Sequence, residues 1–219
     1  MIKAAIYDLD DLLVNSIGLH IQSSEQVLNK YGASSQDMPD SLQRRFIGMK
    51  IVDVYRLIIS HLNIPVKPEK LELEKEKIFL ELVRDKLELM PGVIRSLWIF
   101  HEEKLKIALA TSGTRPYVQL VLDKFNLKPD FEVIITGDDV HLGKPDPETF
   151  TMAINKLGLK PEECLVLEDA TNGIEAAKAA GCLCIAVKNP YTPVQDLSQA
   201  DLIINSLSDL SLEIINSLA

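Results

Sequence analysis

The feature that most constrains the fold is a recurring pattern: a short apolar run rich in β-branched residues, cut off by acidic or hydroxyl side chains. Residues 2–7 (IKAAIY) end in DLDD. Similar runs fall at 105–110 (LKIALA), 132–135 (EVII), 164–168 (CLVLE) and 183–187 (LCIAV), with a weaker one at 201–204 (DLII). Runs of this length bounded by turn-forming residues predict buried strands. Helical patterns lie between them. Residues 114–126 open at Thr114 and carry Val118, Val121, Leu122 and Phe125 on one face. Residues 146–157 begin Asp-Pro, a cap followed by a first-turn residue. Residues 171–180 (TNGIEAAKAA) stop at Gly181, as a helix C-terminus should. Strand and helix alternate, so the expected architecture is α/β, with a largely parallel sheet covered on both faces.

One stretch breaks the alternation. From about 16 to 88 no strand is expected, and residues 17–31, 40–46, 50–62 and 68–88 predict helices, interrupted by Gly32, Gly48 and the segment IPVKP. Helix 68–88 is dense in charge, with apolar residues at 71, 78, 82 and 89, and is expected to present a solvated face. Met90-Pro91-Gly92 closes the segment. Some 70 residues of helix therefore follow the first strand, where a βα connection normally takes about two to six. Ligands of open parallel sheets bind outside the carboxyl ends of the strands. An insert leaving from that edge would hang over the site.

Composition narrows the function classes. The chain has 219 residues, 47% apolar and 25% charged, with a net charge of −9. Such an acidic balance argues against a nucleic-acid partner, whose phosphates call for Lys and Arg. No apolar run approaches the roughly 20 residues that span a bilayer. The start, MIKAAIYDLDD, turns acidic too soon for a secretory signal, so no membrane association and a cytoplasmic location are expected. Three cysteines imply no disulfide framework, and Cys182 and Cys184 are expected as small buried side chains.

Four strand ends carry candidate chemistry. Asp8 and Asp10 follow the first strand; two carboxylates this close repel unless a cation or shared proton intervenes. Glu168-Asp169 follows CLVLE and could converge with them on a hard cation such as magnesium, which takes oxygen ligands. Thr111-Ser112-Gly113 opens a helix, which suits phosphate oxygens, although N-capping alone would also explain a hydroxyl there. Lys144, in Gly-Lys-Pro, is either an exposed loop lysine or a partner for an anionic nucleophile and phosphate. Each signal alone is weak. Together they supply the groups that phosphoryl transfer needs within one cleft.

These residues resemble the haloacid dehalogenase-like superfamily, in particular its phosphatase and β-phosphoglucomutase branch, over almost the whole chain. DLDDLLVNS, ALATSG, GKPDPETF and VLEDATNGIEAAKAAG stand where its four motifs would. The resemblance implies a Rossmann-like core over 1–15 and 91–219 and a small all-helical cap over 16–90. It implies that Asp8 attacks phosphorus and that Asp10 protonates the leaving oxygen and then activates water. Thr111 and the Ser112 amide would hold the phosphoryl oxygens, and Lys144 would offset charge. Asp8, the Asp10 carbonyl and Asp169 would bind Mg2+, with Glu168 either a direct ligand or one step removed. Dehalogenases lack an acid at the Asp10 position. Asp11 stands where the family usually has glycine, a place where positive φ is needed. Asn15 and Ala170 replace a frequent Asp and Ser.

In the cap, His20 matches a histidine of the mutases and several sugar phosphatases, though a polar residue near a hinge would look the same. Gly48 and Lys50 lie in FIGMK, which resembles the cap loop that reaches the site. Ile51 occupies the position where the mutases carry an arginine for a distal phosphate. The implied activity is therefore hydrolysis of a small phosphorylated metabolite, with a phosphomutase as the alternative and a non-catalytic binding protein as the lesser one. A receiver-type signalling domain would be shorter, without the helical insert, and would give no reason for Asp10. A monomer suffices to close the site.

Overall fold

The structure is a computed structural model that describes residues 1–43, 46, 49 and 51–218. Its strands are β1 (Ala4–Tyr7), β2 (Lys106–Ala110), β3 (Val133–Ile135), β4 (Cys164–Glu168), β5 (Leu183–Val187) and β6 (Leu202–Ile204). They form one sheet in the order β3-β2-β1-β4-β5-β6, and every pairing is parallel. The central position of β1 follows from its composition. All four of its residues are buried, so it can sit only between two neighbours with both faces covered. Tyr7 lies opposite Leu109 of β2 and Leu167 of β4, which brings the next residue of each strand to one edge.

Side chains alternate across β1 with the period of a strand. Ala4 and Ile6 join one apolar cluster with Ala108, Val166, Phe150 and Ile174. Ala5 and Tyr7 join the other with Leu109, Phe100, Val118 and Leu165. Tyr7 meets Phe100 and Phe131 edge-to-face and donates its hydroxyl to Ser96 Oγ, which satisfies the polar end of a fully buried ring.

The helices are α1 (Ile17–Lys30), α2 (Asp40–Gln43), α3 (Ile51–Leu62), α4 (Pro68–Lys86), α5 (Val93–Glu102), α6 (Arg115–Phe125), α7 (Glu148–Leu157), α8 (Thr171–Ala179) and α9 (Leu212–Asn216). Helices α5 and α9 lie outside the elements expected from sequence. The start of α5 carries no side-chain cap; its N-cap is Gly92 at φ +89°, where a Cβ would strike the backbone of Ser208 at 2.2 Å. Of two expected helix starts, one holds its position and one shifts. Thr114 stands at the N-cap of α6, but its hydroxyl donates to Glu76 Oε1 at 2.6 Å instead of capping. Helix α7 begins at Glu148, with Pro147 as N-cap and Asp146 Oδ1 accepting from the Glu148 amide.

Helices α1 to α4 lie between β1 and β2 in sequence and have an apolar cluster of their own, including Val27, Leu28, Tyr55, Ile58 and Leu71. Helix α4 belongs to both cores. Leu71 packs in that cluster, whereas Phe79 and Val83 join the cluster beneath the sheet. The buried stripe of α4 is Leu71, Lys75, Phe79 and Val83, a four-residue spacing on one helix face. The expected solvated face is present, with Lys70, Lys77, Glu81 and Arg84 exposed, but the buried stripe is not the expected one: positions 78 and 82 are only partly buried, and a lysine stands inside the row. Cys164, Cys182 and Cys184 are buried and unbridged. Among the described residues no helix is long and apolar enough to cross a membrane.

Candidate active site

Three groups stand one residue beyond a strand: Asp8 after β1, Thr111 after β2 and Asp169 after β4. Their backbones extend the sheet. The Asp8 amide donates to Leu167 O, and the Thr111 amide to Ile135 O. Lys144, between β3 and α7, is 3% exposed and reaches Asp8 Oδ1 and Glu168 Oε1, both at 2.6 Å. Its ammonium also stands over the Phe150 ring. Burial disfavours the charged lysine, but the two carboxylates overcome this and raise its pKa, so it stays protonated.

Glu168 is fully engaged. Its Oε1 takes Lys144 and its Oε2 accepts from the amides of Asp169 and Ala170. Gly173, in the first turn of α8, makes room for it; a Cβ there would lie 1.7 Å from Oε1. This steric fit explains the glycine in DATNG.

Asp8, Glu168 and Asp169 are all buried and offer carboxylate oxygens within 4.8 Å of one another. One ammonium faces three carboxylates. Burial raises the Asp8 carboxyl, Lys144 pulls it down, and Glu168 and Asp10 push it up again, to about 8. Burial, then Glu168, Asp11 and Asp8, raise Asp169 well above the ordinary range. Among the described residues, nothing hydrogen-bonds Asp169 Oδ2. An orphaned carboxylate oxygen amid uncompensated negative charge fits a hard divalent cation. Asp8 and Asp169 are the residues to hold it, since the oxygens of Glu168 already have protein donors.

Asp10 lies on the opposite side of the cleft mouth. Its Oδ1 accepts from Tyr117 OH at 2.6 Å and from Ser16 Oγ at 2.7 Å, and lies 3.3 Å from His20 Nε2. Burial opposes the charge, but His20, Ser16 and Tyr117 outweigh it and bring the carboxyl down to about 2. Asp10 is thus a carboxylate in this arrangement. The Lys75 ammonium donates to His20 Nδ1 at 2.7 Å, which leaves the imidazole proton on Nε2, toward Asp10. Burial brings Lys75 down to about 7 and, with Lys75 beside it, lowers His20 as well. Phe79 supports both: His20 stacks on its ring at 4.0 Å, and Lys75 Nζ lies 3.9 Å from the ring centroid.

The sequence-predicted residues therefore assemble as follows. Asp8, Asp10, Thr111, Ser112, Glu168, Asp169 and His20 line one cleft, and Lys144 braces it from behind. Gly48 and Lys50 lie outside the described residues. Lys75, Phe79, Tyr117, Glu76 and the side chain of Asp11 were not anticipated as parts of the site. The signal for Lys75 was its place four residues from Leu71 and from Phe79, inside an apolar stripe. Tyr117 was overlooked beside Val118, on the face that packs inward.

A family model for haloacid dehalogenase-like hydrolases matches residues 5–187, and the chain belongs to that family, on its phosphatase branch. The enzyme is a phosphoric monoester hydrolase. Among its relatives is a phosphorylated carbohydrates phosphatase from Thermotoga maritima, 31% identical over 183 residues and covering 82% of each chain. Among solved structures, CbbY from Rhodobacter sphaeroides in complex with phosphate superimposes with a TM-score of 0.85 at 25% identity, covering 95% of this chain and 96% of that one. A β-phosphoglucomutase from Clostridium difficile shares the fold, with a TM-score of 0.86 at 22% identity over 100% of this chain and 97% of that one.

Proposed function

We propose that this enzyme is a magnesium-dependent phosphatase that hydrolyses a small phosphorylated metabolite, a sugar phosphate or similar monoester, through an aspartyl-phosphate on Asp8. The observation that carries the proposal is the buried meeting of Asp8 with Lys144, beside the orphaned oxygen of Asp169. Helices α1 to α4 act as the cap over this site.

A carboxylate oxygen of Asp8 forms a bond to phosphorus while the bond to the leaving oxygen breaks, and Asp10 delivers a proton to that oxygen. Asp10, now a carboxylate, takes a proton from water as the water oxygen attacks phosphorus. The bond to Asp8 then breaks, releasing phosphate and restoring the enzyme. Tyr117, Ser16 and His20 stabilise the carboxylate form that the second step needs. For the first step, the arriving phosphate dianion raises the Asp10 pKa and favours protonation. Thr111, 1% exposed with its hydroxyl accepting from the Gly113 amide, and the Ser112 backbone supply donors to the phosphoryl oxygens. Held by Asp8, the Asp10 carbonyl and Asp169, Mg2+ would supply charge neutralisation for the transferred phosphoryl group. Glu168 acts indirectly, by orienting Lys144.

The cleft encloses about 240 Å³, which suits a small leaving group. Ile21, Val54 and Ile58 give its cap side an apolar wall, and Glu72 and Glu76 offer acceptors to hydroxyl groups. The Thermotoga maritima relative, named for phosphorylated carbohydrates, supports this substrate class. Against a phosphomutase stands Ile51, an apolar cleft residue where a cation for a second phosphate is expected.

The test is phosphate release from a panel of phosphorylated metabolites with magnesium, with chelator, and with Asp8→Asn. Release from sugar phosphates that chelator abolishes, magnesium restores and the variant lacks is the expected result. Conversion of β-glucose 1-phosphate to glucose 6-phosphate with a bisphosphate primer, without phosphate release, would replace hydrolysis by the mutase reading.

A further inference from the structure

The turn between β1 and α1 divides two tasks between two neighbouring residues. Helix α1 has Ser16 at its N-cap, the residue type that ordinarily bonds the free amides of a first turn. Ser16 makes no such bond. Its hydroxyl donates to Asp10 Oδ1 at 2.7 Å. The cap comes instead from Asp11, five residues upstream, whose Oδ1 accepts from the Ser16 amide at 3.0 Å and the Ile17 amide at 2.9 Å.

Asp11 is built into this place. Its side chain is buried, and its φ is +62°, a conformation that most side chains avoid and Asp tolerates. Its amide donates to Val14 O at 2.7 Å, and Asn189 Nδ2, from the loop after β5, donates to its carbonyl at 2.7 Å. Glycine would satisfy the backbone angle equally well but could not cap α1. Asp11 thereby holds the main chain at Ser16, the residue whose hydroxyl reaches Asp10.

We infer that Asp11 is a positioning residue: by holding the Ser16 and Ile17 amides, it fixes the main chain from which the Ser16 hydroxyl holds Asp10 where it exchanges protons with the leaving oxygen and with water. This rests on the reading of Asp10 as the acid and base of hydrolysis. Its effect on proton transfer runs through Ser16 and Asp10.

The experiment measures kcat/KM with magnesium over a series from p-nitrophenyl phosphate, whose leaving group departs without a proton, to alkyl and sugar phosphates, which need one. Asp11→Gly keeps the backbone angle and removes the acceptor. It is expected to lose roughly 10- to 100-fold on the alkyl esters, a fraction of what proton transfer contributes, and much less on p-nitrophenyl phosphate. Asp11→Asn, which keeps an acceptor oxygen, retains the wild-type dependence on the leaving group. Ser16→Ala removes the hydroxyl directly, reproduces the selective loss, and carries the test if Asp11→Gly does not fold. An equal loss across the series in Asp11→Gly or Ser16→Ala, accompanied by a lower Tm, would mean a structural role and overturn the inference. Asp10→Asn separates the two readings. If it loses no more on alkyl esters than on p-nitrophenyl phosphate, the role of Asp10 itself fails; if it does and the other variants do not, only the role of Asp11 fails.

Discussion

On the sheet side of the cleft, Asp8, Thr111 and Asp169 are fixed by the main chain. Each stands one residue past a strand whose hydrogen bonds set its position. On the helical side, His20 and Lys75 come from different helices and are held by a shared aromatic ring and by each other. The first arrangement places charge in a rigid frame and leaves it unbalanced until a cation arrives. The second balances its charges internally. Asp10 lies between them, following β1 in sequence yet bonded to Ser16, His20 and Tyr117. Backbone geometry thus fixes Asp8, the proposed nucleophile, while side-chain packing tunes Asp10, the proposed proton donor.

Lys144→Met tests the rigid side and has the largest expected effect. It leaves Asp8 and Glu168 buried without their cation, so urea unfolding should show a loss of about 3–5 kcal/mol. Activity should fall by roughly 10³-fold, the scale on which a preorganised charge acts. Added magnesium should recover part of the stability and little of the activity. Near-normal turnover in this variant would show that the frame does not depend on its lysine.

Tyr117→Phe probes the residue between the two sides. Burial still pushes Asp10 up, and one of the donors that hold it near 2 is gone, so its carboxyl rises. The acidic limb of the pH profile of kcat, where Asp10 must be ionised to activate water, moves to higher pH. A roughly tenfold fall in kcat at neutral pH accompanies it. An unmoved limb would place control of Asp10 with Ser16 and His20 alone.

Lys75→Met has the smallest effect on rate, a loss of about three- to tenfold as the proton on His20 loses its orientation. Its effect on stability has the opposite sign. Burial lowers the Lys75 pKa from 10.5 to about 7, so between those values the unfolded chain binds more protons than the folded one, and stability rises with pH. The penalty is complete below about 7 and fades toward 10.5. The variant should therefore melt above the parent near pH 6 and lose that advantage by about pH 10. A constant difference in melting temperature across this range would rule out the buried charge as its source.

The two sides also differed in how far they could be read from the sequence. Asp8, Thr111, Glu168 and Asp169 were legible because an apolar run that stops at a polar residue marks both a strand end and a position at the sheet edge. Lys144 was legible as a loop lysine able to partner Asp8, but its burial and its second bond, to Glu168, were not, because nothing in GKPDP fixes how deep the lysine sits. Lys75 was hidden by its setting. Within EKLELEKEKIF, a lysine that faces inward has the same neighbours as one that faces water, and only the exact phase of α4 separates them. The dense charge favoured apolar positions 78 and 82, whereas packing selected 75, 79 and 83. Asp11 was legible for its backbone angle, and its capping role was not, since a cap normally lies next to the helix it serves.

Helix α4 has mechanical properties that follow from how it is fastened. At its C-terminal end Lys124 Nζ donates to the carbonyls of Val83 and Arg84, both at 2.9 Å, which ties that end to α6. Farther toward the other end, Phe79 packs on Tyr117 of α6 and Glu76 accepts from Thr114 at that helix's N-cap. Nineteen residues make a rod of about 28 Å. Pivoted at Val83 and Arg84, a tilt of about 10° would move the far tip by about 4 Å but Phe79 by only about 1 Å. Such a rotation would displace the rim around Glu72 by about 3 Å and the Phe79 ring on which His20 stacks by only about 1 Å.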